Sequence, residues 1–175
     1  MSIFKYLLIA IFSLSCSTTY KNQNPIDKAF PKVLGTSLEG KRWSIPKEMS
    51  GKKIIFLIGY KQNSQFDIDR WLIGLDMKGF KGDVYELPTI QGMFPRMFST
   101  KIDEGMRRGI PKELWKGVIT IYKDGEKIQE FTGNERPNNT RVILLDSNGI
   151  IRYFNDSGFS VQGLNDLLEK YNLNK

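Results

Sequence analysis

Hydrophobic positions downstream of Phe30 fall into short blocks with two different periods. Ile54-Ile55-Phe56-Leu57-Ile58 and Val142-Ile143-Leu144-Leu145 are unbroken apolar runs. Runs of that length and β-branched content read as strands buried on both faces. Val84–Leu87, stopped by Pro88, and Val118–Tyr122 predict two more strands. Phe30–Leu34 and Lys41–Ile45 flank Glu39-Gly40 as the arms of a hairpin, and Asp146-Ser147-Asn148-Gly149 predicts a tight turn with Ile150–Phe154 returning antiparallel. Helical spacing is carried by Ile68, Trp71, Leu72 and Leu75, preceded by Ser64-Gln65-Phe66-Asp67, a capping box in its Asp form, and stopped by Gly79. A last helix, capped by Ser160, places Val161, Leu164, Leu167, Leu168 and Tyr171 on one stripe. Lys123–Gly133 fits either a short helix or half a hairpin around Asp124-Gly125. Thr89–Trp115 is an insert holding Met93-Phe94-Pro95-Arg96-Met97-Phe98, a basic amphipathic segment to Arg108, and Pro111 at a helix start.

The first 29 residues have a different texture. Lys5 precedes an apolar run from Tyr6 to Leu14, shorter than the roughly 20 residues a membrane-spanning helix needs and of the size of a secretory h-region. Small residues then lead into Cys16. The segment resembles a bacterial lipoprotein signal, with Ser13 standing where an aliphatic residue is usual. That resemblance implies cleavage before Cys16 and lipid on its thiol; the alternative is that Cys16 is lost with the signal peptide. Residues 1–15 are therefore expected to be a signal peptide, 16–29 a polar, flexible tether, and 30–175 the domain. The implied location is the bacterial cell envelope, periplasmic or surface-facing, with the membrane as a partner through the lipid.

Composition then narrows the chemistry. The 175 residues contain no histidine and one cysteine. That excludes Ser-His-Asp and Cys-His nucleophiles, zinc sites of His and Cys, and an intrachain disulfide. Lys+Arg 26 against Asp+Glu 19 gives +7, and loss of Lys5 with the signal leaves +6. The basic residues form pairs such as Lys52-Lys53 and Arg107-Arg108 rather than a stripe interleaved with aromatics, so nucleic acid is not an expected partner. The excess fits apposition to an anionic membrane surface or solubility alone.

The element order, with Val142-Ile143-Leu144-Leu145-Asp146-Ser147-Asn148-Gly149-Ile150-Ile151-Arg152-Tyr153 and the opening Phe30-Pro31-Lys32-Val33-Leu34-Gly35, resembles the thioredoxin-like superfamily in its peroxiredoxin-related and thiol-disulfide branches. The resemblance implies an α/β fold with a central mixed sheet and helices on both faces. It also implies a reactive position at the start of the helix after the first core strand. Asn63, Ser64, Gln65 and Phe66 stand there without a thiol, and Thr140 stands about where the family has its cis-proline, Pro137 lying three residues earlier. Without a thiolate there is neither disulfide exchange nor peroxide chemistry, and the Cys and His ligands of copper-carrying members are missing too. Through the opening motif, Trp71, Gly149-Ile150-Ile151-Arg152 and Gly158, the chain is also similar to the cysteine-poor assembly factors of the mitochondrial ATP synthase.

The remaining polar constellations have structural explanations. Asp67 and Asp69 suit a helix N-terminus, Asp103-Glu104 suits surface pairs with Lys101, Arg107 and Arg108, and Ser64 suits a cap rather than a nucleophile. Met93, Phe94, Met97 and Phe98 are adaptable contact residues placed in an insert. They either form a partner surface or cover one end of the sheet. The expectation is a redox-inactive envelope lipoprotein acting as a protein-binding or assembly module, with no catalytic residue, metal or cofactor. The alternative is an enzyme or small-ligand binder using chemistry other than thiols.

Overall fold

In the computed structural model, which describes residues 18–173, the two unbroken apolar runs lie side by side as β3 (Ile54–Gly59) and β6 (Arg141–Leu145). They pair antiparallel from Ile54↔Leu145 to Ile58↔Arg141. β4 (Asp83–Pro88) pairs parallel with the other edge of β3, and β7 (Ile151–Asn155) returns antiparallel on β6, giving the order β4-β3-β6-β7. β1 (Val33–Ser37), β2 (Arg42–Ile45) and β5 (Ile119–Thr120) form a second sheet in the order β2-β1-β5. Parallel bridges Glu86↔Val118 and Thr89↔Ile121 join that sheet to the free edge of β4.

One face of the main sheet, carrying Ile55, Leu57, Val142 and Leu144, is covered by α1 (Gln65–Met77) and α5 (Val161–Leu173). Trp71 of α1 is fully buried there and meets Phe159 edge-on at 5.4 Å. The other face packs Phe56, Ile58, Ile143 and Leu145 against the small sheet and Ile128 of α4 (Gly125–Thr132), so Lys123–Gly133 contains a helix rather than a hairpin arm. The expected α/β architecture, a mixed sheet with helices on both faces, is the one found. α1 ends as predicted at Gly79 (φ 65°): Gly79 N donates to Asp76 O and Phe80 N to Leu75 O, the two bonds of a Schellman motif. At the start of α5, Gly163 N donates to Ser160 Oγ.

Two predicted core positions turn outward, because each helix has room for only one buried stripe. Leu72 of α1 and Val161 of α5 are exposed, while the buried large apolar side chains are Ile68, Trp71 and Leu75 in α1 and Leu164 and Leu167 in α5. The insert folds as α2 (Met93–Met97), α3 (Ser99–Gly109) and a 3-10 turn at Lys112–Gly117 that follows Pro111.

The expected flexible tether needs correction over residues 18–29. This polar stretch runs as a strap along the domain, fixed by backbone groups rather than by apolar side chains. Tyr20 exchanges two bonds with Asn134, Gln23 N donates to Thr132 O, and Asp27 N to Ile151 O. Asn22 N donates to Glu135 Oε2 and Glu135 N to Asn22 Oδ1. Gly133 (φ 76°) makes the approach possible, since a side chain there would run into the backbone of Lys21 and Asn22. Gly133→Ala is therefore expected to undock the strap, speed tryptic cleavage after Lys21, and cost about 1–3 kcal/mol in urea unfolding. Unchanged cleavage and stability would remove the strap's dependence on this glycine.

Candidate functional site

β3 ends at Gly59, and the chain then makes a 3-10 turn (Gln62–Ser64) directly into α1. This is the position at which the sequence lacks the thiol. Asn63 and Phe66 are exposed, Phe66 at 71%. Ser64 is buried, its hydroxyl donating to Lys61 O at 2.6 Å, and a side chain at Gly59 would meet its Oγ at 2.5 Å. The predicted side-chain cap is not made: no capping bond from Ser64 starts α1. The Ser64 hydroxyl is thus turned back on the preceding turn, and the chain holds no histidine to activate it.

The role expected for Asp67 also changes. Its carboxylate does more than sit in the first turn of α1. Oδ2 accepts the N–H of Thr140 at 2.9 Å and Oδ1 the N–H of Phe159 at 2.7 Å, joining α1 to the start of β6 and to the segment leading into α5. Thr140 is thereby brought against the start of α1, as the resemblance implies. Its backbone N–H is occupied, and its buried hydroxyl has no partner. The cis peptide among the described residues is Ile45–Pro46, not the bond before Thr140.

Next to Thr140, Arg141 is fully buried without a carboxylate partner. Its guanidinium lies 4.7 Å from the Tyr60 ring and donates to the carbonyls of Arg136 and Asn139, with Asn22 Oδ1 of the strap at 3.5 Å. Burial lowers its pKa and pushes that of Tyr60 up to about 12. Glu86 of β4, opposite Leu57 in the register, is buried like Asp67 and Arg141. Burial raises its pKa to about 7, against a hydrogen bond from Gln65 that favours the charged form; nearby Asp69, to which Gln65 Nε2 also donates at 2.9 Å, adds to the rise.

No family profile matches the chain, and no curated protein matches it. Solved structures do. The thioredoxin domain of a thiol-disulfide oxidoreductase from Bacteroides vulgatus superposes with a TM-score of 0.53 at 17% identity, covering 85% of this chain and 99% of that one. The pneumococcal exposed lipoprotein thioredoxin of Streptococcus pneumoniae gives 0.54 at 11%, covering 80% and 99%. A member of the Sco family of cytochrome c oxidase assembly proteins gives 0.56 at 10%, covering 87% and 96%. The chain has the thioredoxin-like fold.

Within this thioredoxin-like domain the insert is tied down where β5 ends. Arg96 of α2 donates to the carbonyls of Tyr122 and Lys123, just past β5. Met97 is 72% and Phe98 41% exposed, the Phe98 ring lying 5.9 Å from the Lys101 ammonium. The side chains of Met93 and Phe94 lie outside the described residues, as does Cys16. The surface pairs expected around Asp103 and Glu104 are replaced by other contacts. Asp103 accepts from the Tyr122 hydroxyl, Arg107 donates to Leu38 O, and Arg108 to the backbone of Glu104. The bonds of Asp103 and Arg107 hold α3 to the sheet edge through polar tips, in place of buried apolar residues, while that of Arg108 stays within the helix.

Asp67, Glu86 and Arg141 were not singled out in the sequence as buried. The signal for the last two is a charged residue inside or opening an apolar strand, Val84-Tyr85-Glu86-Leu87 and Arg141-Val142-Ile143-Leu144; for Asp67 there is none. Asp67→Ala leaves two backbone donors unpaired and is expected to cost about 2–4 kcal/mol by urea unfolding; a loss within about 0.5 kcal/mol would mean that water replaces the carboxylate. For Glu86 the folded pKa lies above the ordinary 4.5. Between those values the folded chain holds a proton that the unfolded chain has released, so stability falls as pH rises from about 4.5 to about 7, by on the order of 3 kcal/mol. Glu86→Gln should flatten that part of the curve and be the more stable protein at pH 8, and parallel curves for the two proteins would show Glu86 to be solvated.

Proposed function

We propose that the protein is a thiol-free thioredoxin-like module of the bacterial cell envelope, anchored by lipid on Cys16, which binds a protein partner or aids assembly through its insert. The observation that carries this reading is α3 with its neighbours. It is an amphipathic helix that buries none of its residues, and beside it Met97 and Phe98 are exposed. Exposed apolar side chains on a helical insert are what a partner surface requires. The reactive position supports the same reading by its chemistry. Asn63, Ser64, Gln65 and Phe66 carry no sulfur, and the Thr140 N–H beside them is already bound by Asp67. Among proteins of this fold, one is described as an exposed lipoprotein and another as belonging to a family of oxidase assembly proteins.

Acid–base catalysis by Glu86 has no comparable support. Two surface hollows, one lined by Leu34, Arg42, Trp43 and Tyr122 and the other by Lys78, Phe80, Leu168 and Tyr171, both leave Glu86 out.

The test is crosslinking of the full-length protein in its own membranes, with mass spectrometry of the products. The Met93→Ser/Phe94→Ser/Met97→Ser/Phe98→Ser variant and a surface-charge control are run beside it. One recurring partner, retained by the control and lost in the four-serine variant, is expected. Loss of no partner in that variant, or turnover of a thiol or peroxide substrate by the pure protein, would overturn the proposal.

A further inference from the structure

The strap fixes where the chain leaves the domain. Asn134 Nδ2 donates to Thr18 O at 2.9 Å and to Gln129 Oε1 at 2.7 Å, Gln129 Nε2 donates to Thr89 O, and Thr89 N donates to Gly59 O at 2.8 Å. This relay places Thr18 at the end of the sheet where β3, β4 and β5 terminate. From there the strap descends the length of β3 to its other end, where Phe30 N donates to Gly149 O in the turn after β6.

Cys16 stands two residues before Thr18. Two extended residues span about 7 Å, whereas the fourteen from Cys16 to Phe30 would span about 50 Å if they were loose. A domain of this size is about 40 Å across. A loose tether would therefore let any face meet the bilayer, and the docked strap admits only the end from which it emerges.

That end also carries exposed apolar side chains. Phe66 is the second residue of α1, which begins just past β3, and Met97 lies on α2, which Arg96 ties to the backbone just past β5. We infer that the carboxyl end of β3, β4 and β5 is the membrane-apposed surface of the protein, with Phe66 touching the lipid headgroup layer. The inference rests on the lipid anchor proposed above. Charges of both signs adjoin the named residues in the chain, Lys61 and Lys123 against Asp69 and Asp124. The short leash and the apolar side chains, rather than net charge, set the orientation.

The full-length protein, produced with its lipid and reconstituted in vesicles of phosphatidylethanolamine and phosphatidylglycerol, tests this. Since Cys16 is the one cysteine, its lipidation leaves an introduced cysteine as the sole free thiol. Fluorophores on Lys61→Cys and Lys123→Cys, at the apposed end, are compared with those on Lys81→Cys and Asn148→Cys, at the opposite end, using a nitroxide-headgroup lipid as quencher. Quenching is expected to be several-fold stronger at the first pair, and to weaken there when Phe66→Ser is added. Equal quenching at all four sites, or the reverse order, would overturn the orientation while leaving the anchor intact. No acyl mass on the Cys16 peptide would overturn the anchor and the orientation together. A photocrosslinker at position 66 that reaches a protein in native membranes, with no quenching in vesicles, would assign this end to a protein and overturn the lipid contact.

Discussion

The whole arrangement hangs on β3 being buried on both faces. All six residues from Ile54 to Gly59 are out of solvent, so each face must be covered by a different layer, and both edges must be paired to satisfy the backbone. α1 and α5 cover one side, the small sheet and α4 the other, while β4 and β6 take the edges. A strand enclosed in this way can make its exit only at its ends. The turn into α1, the insert after β4 and the loop before β6 consequently crowd around the carboxyl end, where polar groups can still reach water.

That crowding brings the start of α1 against the residue that opens β6, the corner where the resemblance implies a reactive thiol. In a thiol enzyme the start of α1 and the residue opening β6 must stay available to a substrate. Here Asp67 spans them, binding the Thr140 N–H on one oxygen and the Phe159 N–H on the other. Hydrogen bonds to a charged acceptor contribute about 1.5–3 kcal/mol each, enough to make this corner a structural joint. Arg141 deepens the joint. Its buried guanidinium is held by two carbonyls and an aromatic face, with Nε left without a hydrogen-bond partner, and moving it off those carbonyls would leave a buried charge unpaired, which is costly.

The strands and their order were legible because apolar runs such as Ile54–Ile58 and Val142–Leu145 report burial on two faces directly, and the Asp146–Gly149 turn and the Gly79 stop are local in sequence. Boundaries between inward and outward helix positions were less legible. Leu72 and Val161 fit the apolar spacing, yet only the helix that packs beside them decides which stripe is inside. The fate of Asp67 was not legible at all, since its partners lie 73 and 92 residues away. The candidate site divides in the same way. The missing thiol at Asn63–Phe66 can be read from composition, and the exposure of Met97 and Phe98 agrees with their placement in an insert. The polar tips that hold α3 to the sheet have no sequence signature.

The strap is the sharpest instance of this limit. Thr18–Ala29 has the composition of a linker, with scarcely an apolar residue to bury, and composition sets the stiffness of a chain only when nothing binds it. What binds it is backbone, paired to Asn134, Thr132 and Ile151, made accessible by the absence of a side chain at Gly133. Backbone pairing leaves no mark in the residues that undergo it. Yet, with the lipid anchor proposed above, it would convert a reach longer than the domain into one of about two residues, the difference between a domain that samples every orientation at a membrane and one that presents a single end.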